Sequence, residues 1–273
     1  MEQSSAVVTR DILKKVFLKR KVDAHKYQFG SLLVIGGSKL YHGSPLFNAL
    51  GAYKTGVDLV TVIAPERAAN IIASYGPDLI TYPLKGDCIE EKHVKIMEKF
   101  AEKCDAIVIG GGTGRQTKTK EAVRKFLKKI KKPVVLDADA LHVIRPSDIR
   151  KNFVLTPHTE EFKTLSGLNA TRKNIEKFAR KHNCVILLTH SKDIITNGKE
   201  TFENWTGNPY MTVGGTGDIL AGICGSLLAQ GASPMNAACA AAYVNGMAGD
   251  LAAKVKKQAL MASDILGYIE KVF

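Results

Sequence analysis

Apolar positions along the chain gather in short runs, separated by longer stretches in which they recur every three or four residues. The runs at 31–36, 58–64, 106–110, 133–137, 153–156 and 184–189 are rich in Val, Ile and Leu and lack strict alternation. A strand reads this way when both of its faces are covered, as in a parallel sheet. The stretches at 45–55, 66–74, 89–103, 118–131 and 172–182 carry apolar residues at helical spacing with charged residues opposite. That is the pattern of helices lying on a core. Regular alternation of the two predicts an α/β fold with a doubly wound, mostly parallel sheet flanked by helices.

After Thr189 the pattern changes. Residues 193–196 and 200–203 flank Asn197-Gly198, a pair that tolerates positive φ, and so predict a hairpin. From Gly215 onward the chain reads as almost wholly helical and is rich in Ala and Gly, which lets helices pack closely. No low-complexity linker or repeat interrupts the pattern. The expected organisation is one domain over 27–273, preceded by a helical lead-in over 1–26.

Composition narrows the class without naming a function. With 273 residues, 45% hydrophobic and 24% charged, the chain can bury a large core as a soluble globular protein. Its longest weakly polar stretch, 219–232, is too short to span a bilayer. Residues 1–11 hold acids and polar groups where a secretory signal would need an apolar run, so a cytoplasmic location is expected. Cys88, Cys104, Cys184, Cys224 and Cys239 form no CxxC pair, and neither a metal site nor a disulfide is expected. The formal charge of +13 comes from basic clusters interleaved with apolar residues at helical spacing. These read as solvated helix faces, and without an aromatic stacking set they do not indicate nucleic acid.

Ligands of open parallel sheets collect at the carboxyl ends of the strands. The predicted strands end in Gly36-Gly37-Ser38, in Gly110-Gly111-Gly112-Thr113-Gly114, in Asp137-Ala138-Asp139 and in Thr156-Pro157-His158. Glycines, acids and a histidine at four strand ends exceed what folding needs and mark a site. The strongest local motif is Gly214-Gly215-Thr216-Gly217-Asp218 running into an apolar helix. Glycines at a helix start free N–H groups to surround an anion, aided by the helix dipole. Thr216 is able to cap this helix. Asp218 suits plain N-terminal stabilisation, or a general base held beside an anion hole. In the first turn the dipole should hold it ionised, weakening it as a base.

The turn at 110–114 resembles a dinucleotide fingerprint imperfectly, because Thr117 stands where a third glycine is wanted; Asp137 would then hold a ribose hydroxyl. A glycine-rich turn lining a substrate pocket fits equally well. His158, fixed beyond a strand end by Pro157, is expected in a pocket and not in the core. Of Asp137 and Asp139, at most one faces the pocket, and the other caps the next helix.

With these motifs in hand, the chain resembles the ADP/ATP-dependent NAD(P)H-hydrate dehydratases of the ribokinase-like superfamily. The matching stretches include Gly36-Gly37-Ser38, Gly43-Ser44-Pro45, the 110–114 turn and the segment 135–141. They continue with Leu155-Thr156-Pro157-His158, Gly207-Asn208-Pro209, the 214–218 motif and Gly246-Met247-Ala248-Gly249-Asp250. The resemblance implies an enzyme that restores hydrated NADH or NADPH, using ADP or ATP with Mg²⁺ and releasing phosphate. It implies Asp218 as base and hydrate contact, with Ser44, Gly114 and His158 lining the hydrate pocket. Gly215, Thr216 and Gly217 would hold nucleotide phosphates, and Thr189, His190, Ser191, Lys192 and Asp193 would cradle the adenosine. No protein-held metal, nucleic acid or membrane is implied; a homo-oligomer is, with a tetramer favoured. The epimerase domain that often precedes this one in the family is expected to be absent.

The chain departs from the family pattern at several positions. Thr189-His190 replaces Lys-Gly, Gly111 a proline, Tyr210 a glycine, Asn245 a histidine and Thr159-Glu160 Pro-Gly. The choice between ADP and ATP, and between the two hydrates, stays open. So does the alternative of a small-molecule kinase of the same superfamily acting on an alcohol of a vitamin precursor. A nucleotide sensor without catalysis would have no use for Asp218, and an oxidoreductase reading leaves the 214–218 motif unexplained.

Overall fold

In the computed structural model, which describes residues 6–17 and 19–273, the ten strands found among those residues form one sheet. The strands are β1 (Ala6–Val7), β2 (Ser31–Ile35), β3 (Leu59–Pro65), β4 (Ile80–Leu84), β5 (Ala106–Ile109), β6 (Val134–Leu136), β7 (Phe153–Leu155), β8 (Val185–Leu188), β9 (Asp193–Thr196) and β10 (Thr201–Asn204). Their order is β1-β10-β9-β8-β7-β6-β5-β2-β3-β4. Every pairing from β8 to β4 is parallel, and the predicted hairpin is present as the antiparallel pair β9–β10. The helices are α1 (Leu13–Val16), α2 (Gly43–Lys54), α3 (Glu66–Ala73), α4 (Val94–Glu102), α5 (Thr117–Lys129), α6 (Asp139–Val143), α7 (Thr159–Ser166), α8 (Arg172–His182), α9 (Thr216–Ala229), α10 (Pro234–Lys256) and α11 (Ala262–Leu266).

Side chains alternate across each central strand, and the two faces bury two cores. Leu32, Val34, Val60, Val62 and Val108 join the side covered by α2, α9 and α10, whereas Leu33, Ile35, Ile63, Ile107 and Ile109 join the side covered by α4, α5, α7 and α8. Central strands therefore carry continuous apolar runs. The Ala/Gly-rich helices pack as anticipated, with α2 and α9 at main-chain contact. A β-carbon on Gly222 of α9 would lie 2.1 Å from the Asn48 carbonyl oxygen of α2, so only glycine permits that approach.

Four segments differ from expectation. β4 pairs on one side only and is largely exposed, with Pro83 within it; an edge strand needs no apolar run and tolerates proline. The segment 139–143 and the segment 159–166 are helical although too short to show a periodicity; Gly167 closes the second at φ 71°. Among its described residues the N-terminal lead-in is helical only over a 3-10 turn, Arg10–Ile12, and α1, and β1 within it lies parallel to β10. Residues 1–5 and 18 of that lead-in lie outside the described residues. All five cysteines are buried and free, as small core residues. Among the described residues no helix is long and apolar enough to cross a membrane.

Candidate active site

The chain leaves β2 toward β3 and β4, then returns to place β5 on the other side of β2. The crevice between the carboxyl ends of β2 and β5 is thus the switch point of the sheet, where a parallel α/β fold leaves room for a ligand. Gly36-Gly37-Ser38 and the 110–114 turn form its floor. The Gly37 N–H donates to the Gly111 carbonyl at 2.8 Å, tying the two turns together. Gly110 sits at φ 144°, and a β-carbon there would stand 1.7 Å from the Asp137 carbonyl oxygen, which excludes any other residue.

Asp218 overhangs this floor from the first turn of α9. A β-carbon on Gly111 would stand 2.6 Å from Ser44 Cβ, 2.7 Å from Asp218 Oδ1 and 3.4 Å from Asn48 Oδ1. The predicted residues Ser44 and Asp218 are therefore neighbours over Gly111. A cavity of about 390 Å³ opens beside them, lined by Tyr41, His42, Ser44, Gly214, Gly215 and Asp218 among others. A larger hollow of about 490 Å³, lined by Glu66, Arg67, Asn70 and Asp87, touches none of the predicted site residues. The candidate chemistry, Ser44 with Asp218, lies in the smaller one.

The start of α9 is built differently from expectation. Gly215, at φ 102°, is the N-cap, and Phe47 and Ala262 lie so close that a side chain there would collide with them. Thr216 does not cap the helix; its hydroxyl donates to the carbonyls of Met211 and Val213, at 3.1 and 3.2 Å. This fastens the glycine turn from outside and leaves Gly217 exposed. Two buried amides clamp the same turn from inside. Asn48 Nδ2 donates to the Asp218 carbonyl at 2.7 Å, and Asn245 Nδ2 from α10 donates to the Thr216 carbonyl at 3.4 Å.

The electrostatics of Asp218 also reverse the expectation drawn from the helix dipole. Burial pushes its pKa from 3.8 to about 6, and the nearby charges of Asp139 and Glu161 add to the rise, while the Ser44 hydroxyl opposes it. Desolvation outweighs a dipole that is worth at most a kcal/mol or two. Asp218 Oδ1 is buried and lacks a hydrogen-bond partner. The result is a carboxylate of raised basicity beside open space.

The other acids take distinct places. Asp137 is buried, accepts from the Thr156 hydroxyl at 2.6 Å, and is pushed well above the usual carboxylate range by burial and by Asp218. It holds no exposed position from which to grip a ribose. Asp139 accepts from the Gly114 N–H at 2.9 Å and from Arg115 Nε at 2.8 Å, and so anchors the 110–114 turn. Gly114 itself faces open space.

His158 lies outside the core, its side chain 56% exposed. It caps α7: Nδ1 accepts from the N–H groups of Glu160 and Glu161, while Nε2 faces Glu161 Oε1 at 3.5 Å. Nδ1 as acceptor puts the ring proton on Nε2. His142 approaches the same carboxylate at 3.9 Å. His158 is not part of the 390 Å³ lining with Ser44 and Asp218, and stands beyond the end of β7, two strands from β5, bridged to Thr189.

Residues 189–192 form the loop between β8 and β9, and Asp193 opens β9. The His190 N–H donates to Asp193 Oδ1 at 3.1 Å, Ser191 pairs with the His190 ring, and the Lys192 ammonium lies 4.4 Å from the centre of the Trp205 ring. Burial raises the Asp193 carboxyl to about 6. Asn204 Nδ2 joins Asp193 Oδ2 at 3.0 Å to the Ala242 carbonyl of α10 at 3.3 Å. One helical turn later, Asn245 reaches α9. Helix α10 thus connects the 189–193 loop to the 214–218 turn.

Asn48 was not singled out from the sequence, although an asparagine among the buried positions Leu46, Ala49 and Ala52 of one helix is a legible signal. His42, whose buried Nδ1 lacks a partner, carried no such signal. Among the described residues no group of three or more His, Cys, Asp or Glu side chains is placed to hold a metal ion.

Known proteins agree with this architecture. A family model described as NAD(P)H-hydrate dehydratase matches residues 32–271. The chain is 35% identical over 276 residues to the ADP-dependent (S)-NAD(P)H-hydrate dehydratase of Nitrosopumilus maritimus, covering 97% of this chain and 96% of that protein. It spans about half the length of the bifunctional NAD(P)H-hydrate repair enzymes it also matches. Among solved structures, a ribokinase-like superfamily protein from Enterococcus faecalis superposes with a TM-score of 0.88 at 26% identity, over 98% of this chain and 94% of the other. The Bacillus subtilis ADP/ATP-dependent NAD(P)H-hydrate dehydratase, co-crystallised with ATP/Mg²⁺, gives 0.84 at 25% identity over 98% and 97%. The fold is ribokinase-like, and the chain belongs to the NAD(P)H-hydrate dehydratase family.

Proposed function

We propose that this chain dehydrates the hydrated form of NADH or NADPH with ADP or ATP as phosphate donor, regenerating the reduced cofactor and releasing phosphate. The observation that carries the reading is Asp218, a buried carboxylate of raised pKa with one free oxygen, set at a glycine-lined helix start. The hydrate's hydroxyl is a weak nucleophile and must lose its proton as it attacks the terminal phosphorus. Asp218 takes that proton. The phosphorus–oxygen bond to the rest of the nucleotide breaks, and N–H groups of Gly215–Gly217 receive the charge growing on the transferred group. The phosphorylated ring then expels phosphate and loses a proton from the neighbouring ring carbon, and the nicotinamide double bond returns.

Ser44, beside Asp218, contacts the hydrate in the crevice, and Gly114 and His158 contact it from outside that cavity. Thr189, His190, Ser191, Lys192 and Asp193 hold the adenosine end. Mg²⁺ enters on the nucleotide phosphates, whose oxygens suit it without a protein cage. Residues 27–273 act as one catalytic unit, which works in the cytoplasm as a homotetramer without nucleic-acid or membrane partners.

The test is incubation with NADH hydrate and either ADP or ATP, following the absorbance of the reduced cofactor and the release of inorganic phosphate. Both should rise together. Phosphate retained on an organic product would instead assign the chain to the small-molecule kinases.

A further inference from the structure

Asn48 is 1% exposed on α2, and a buried amide is costly unless both of its ends find partners. Only one does. Nδ2 donates to the Asp218 carbonyl at 2.7 Å, which fixes Oδ1 as the other end. Asn48 Oδ1 and Asp218 Oδ1 are both buried without a partner. They stand around the same small space, 3.4 and 2.7 Å from the point a Gly111 β-carbon would occupy. Asn48 has no room to retreat, because its own carbonyl is pressed against Gly222 of α9.

Two acceptor oxygens around one space oppose each other while the carboxyl is ionised. A proton on either oxygen of the carboxyl removes its charge and relieves that opposition. We propose that Asn48 is a positioning residue for Asp218: its N–H holds the first turn of α9, and its Oδ1, on the buried side of the Asp218 carboxyl, raises the affinity of that carboxyl for the substrate proton. The proton passes from the substrate hydroxyl to Asp218 as the new phosphorus–oxygen bond forms and the bond to the rest of the nucleotide breaks. The inference rests on Asp218 acting as the base.

Other charges act on the same carboxyl and define the background. Asp137 at the end of β6, Asp139 in α6 and Glu161 in α7 are acidic neighbours, and His42 lines the cavity from the start of α2. The effect of Asn48 must therefore be read as a displacement of the acid limb of the rate profile, not as its existence.

The experiment measures kcat against pH for the parent, Asn48→Leu, Asn48→Asp and Asp218→Asn, with nucleotide KM and a thermal melt for each. Asn48→Leu keeps volume but removes the acceptor, and its acid limb should move down by about one pH unit. Its kcat should fall about 10- to 100-fold with nucleotide KM within a few-fold. Asn48→Asp adds an acid, and its limb should move up. Should the Leu variant fail to fold, Asn48→Ala carries the same expectation. A purely structural role would lower the melting temperature or kcat without moving the limb in opposite directions. A limb that stays at its parental position in both Asn48 variants overturns the Asn48 assignment and leaves the base intact. Near-parental turnover by Asp218→Asn removes the base itself.

Discussion

Replacing the Asp218 carboxylate by an amide keeps the shape of the side chain and removes the acid that lines the open cavity. Two magnitudes follow. General-base removal lowers kcat by about 10²- to 10⁴-fold, a barrier increase of roughly 3–5 kcal/mol. The second concerns stability. In the folded chain the carboxyl titrates near 6 instead of 3.8, so the folded state binds its proton more tightly than the unfolded chain does. That binding favours folding below about pH 4, and the benefit is lost as pH rises from about 4 to 6. Above that window the ionised, partly buried carboxylate withdraws on the order of 3 kcal/mol, an upper value because the neighbouring Asp137 shares the titration. The neutral amide of Asp218→Asn carries no such burden. The variant should therefore melt higher than the parent near pH 7.5 and lose that advantage toward pH 4, by several degrees at ~2–4 °C per kcal/mol. The assay pairs turnover under saturating nucleotide and hydrate with melts across that range. A variant that turns over within a few-fold of the parent, with a melting difference that ignores pH, would show Asp218 to be a helix-start acid and nothing more.

Gly111→Ala should cut kcat at least tenfold and destabilise by about 1–3 kcal/mol, because the new methyl meets Ser44 Cβ at 2.6 Å and Asp218 Oδ1 at 2.7 Å; full activity with an unchanged melt would contradict the close approach. His158→Ala removes the cap of α7 and should lower stability by about 0.5–2 kcal/mol, while raising KM for the hydrate more than KM for the nucleotide in steady-state kinetics. Excess chelator should abolish turnover and excess Mg²⁺ restore it, since the phosphates need a counter-charge in transfer; activity that persists in chelator would refute this.

The strands β2, β3, β5, β6, β7 and β8 were legible in the sequence because a strand buried on both faces must be apolar at every position. The hairpin was legible because Asn197-Gly198 supplies the backbone its turn demands, and the start of α9 because three glycines and an acid are more than a helix cap requires. Each of these is a local constraint, written where it acts. β4 and β1 were not legible, since an edge strand is satisfied by main-chain pairing to a distant segment and places little demand on its own side chains. The same distinction divides the site. Ser44, His158 and Asp218 could be named from their motifs, but the sequence did not reveal that Ser44 and Asp218 meet over Gly111 while His158 stands at the end of β7, two strands beyond β5. Nor could it give the strength of the base. A helix start alone predicts a carboxylate held low by the dipole. Only the close packing of α2 on α9, with Asn48 beneath and Asp137, Asp139 and Glu161 around, removes enough water to lift it to about 6. Desolvation is a property of everything that surrounds a group, and that is assembled only when the chain has folded.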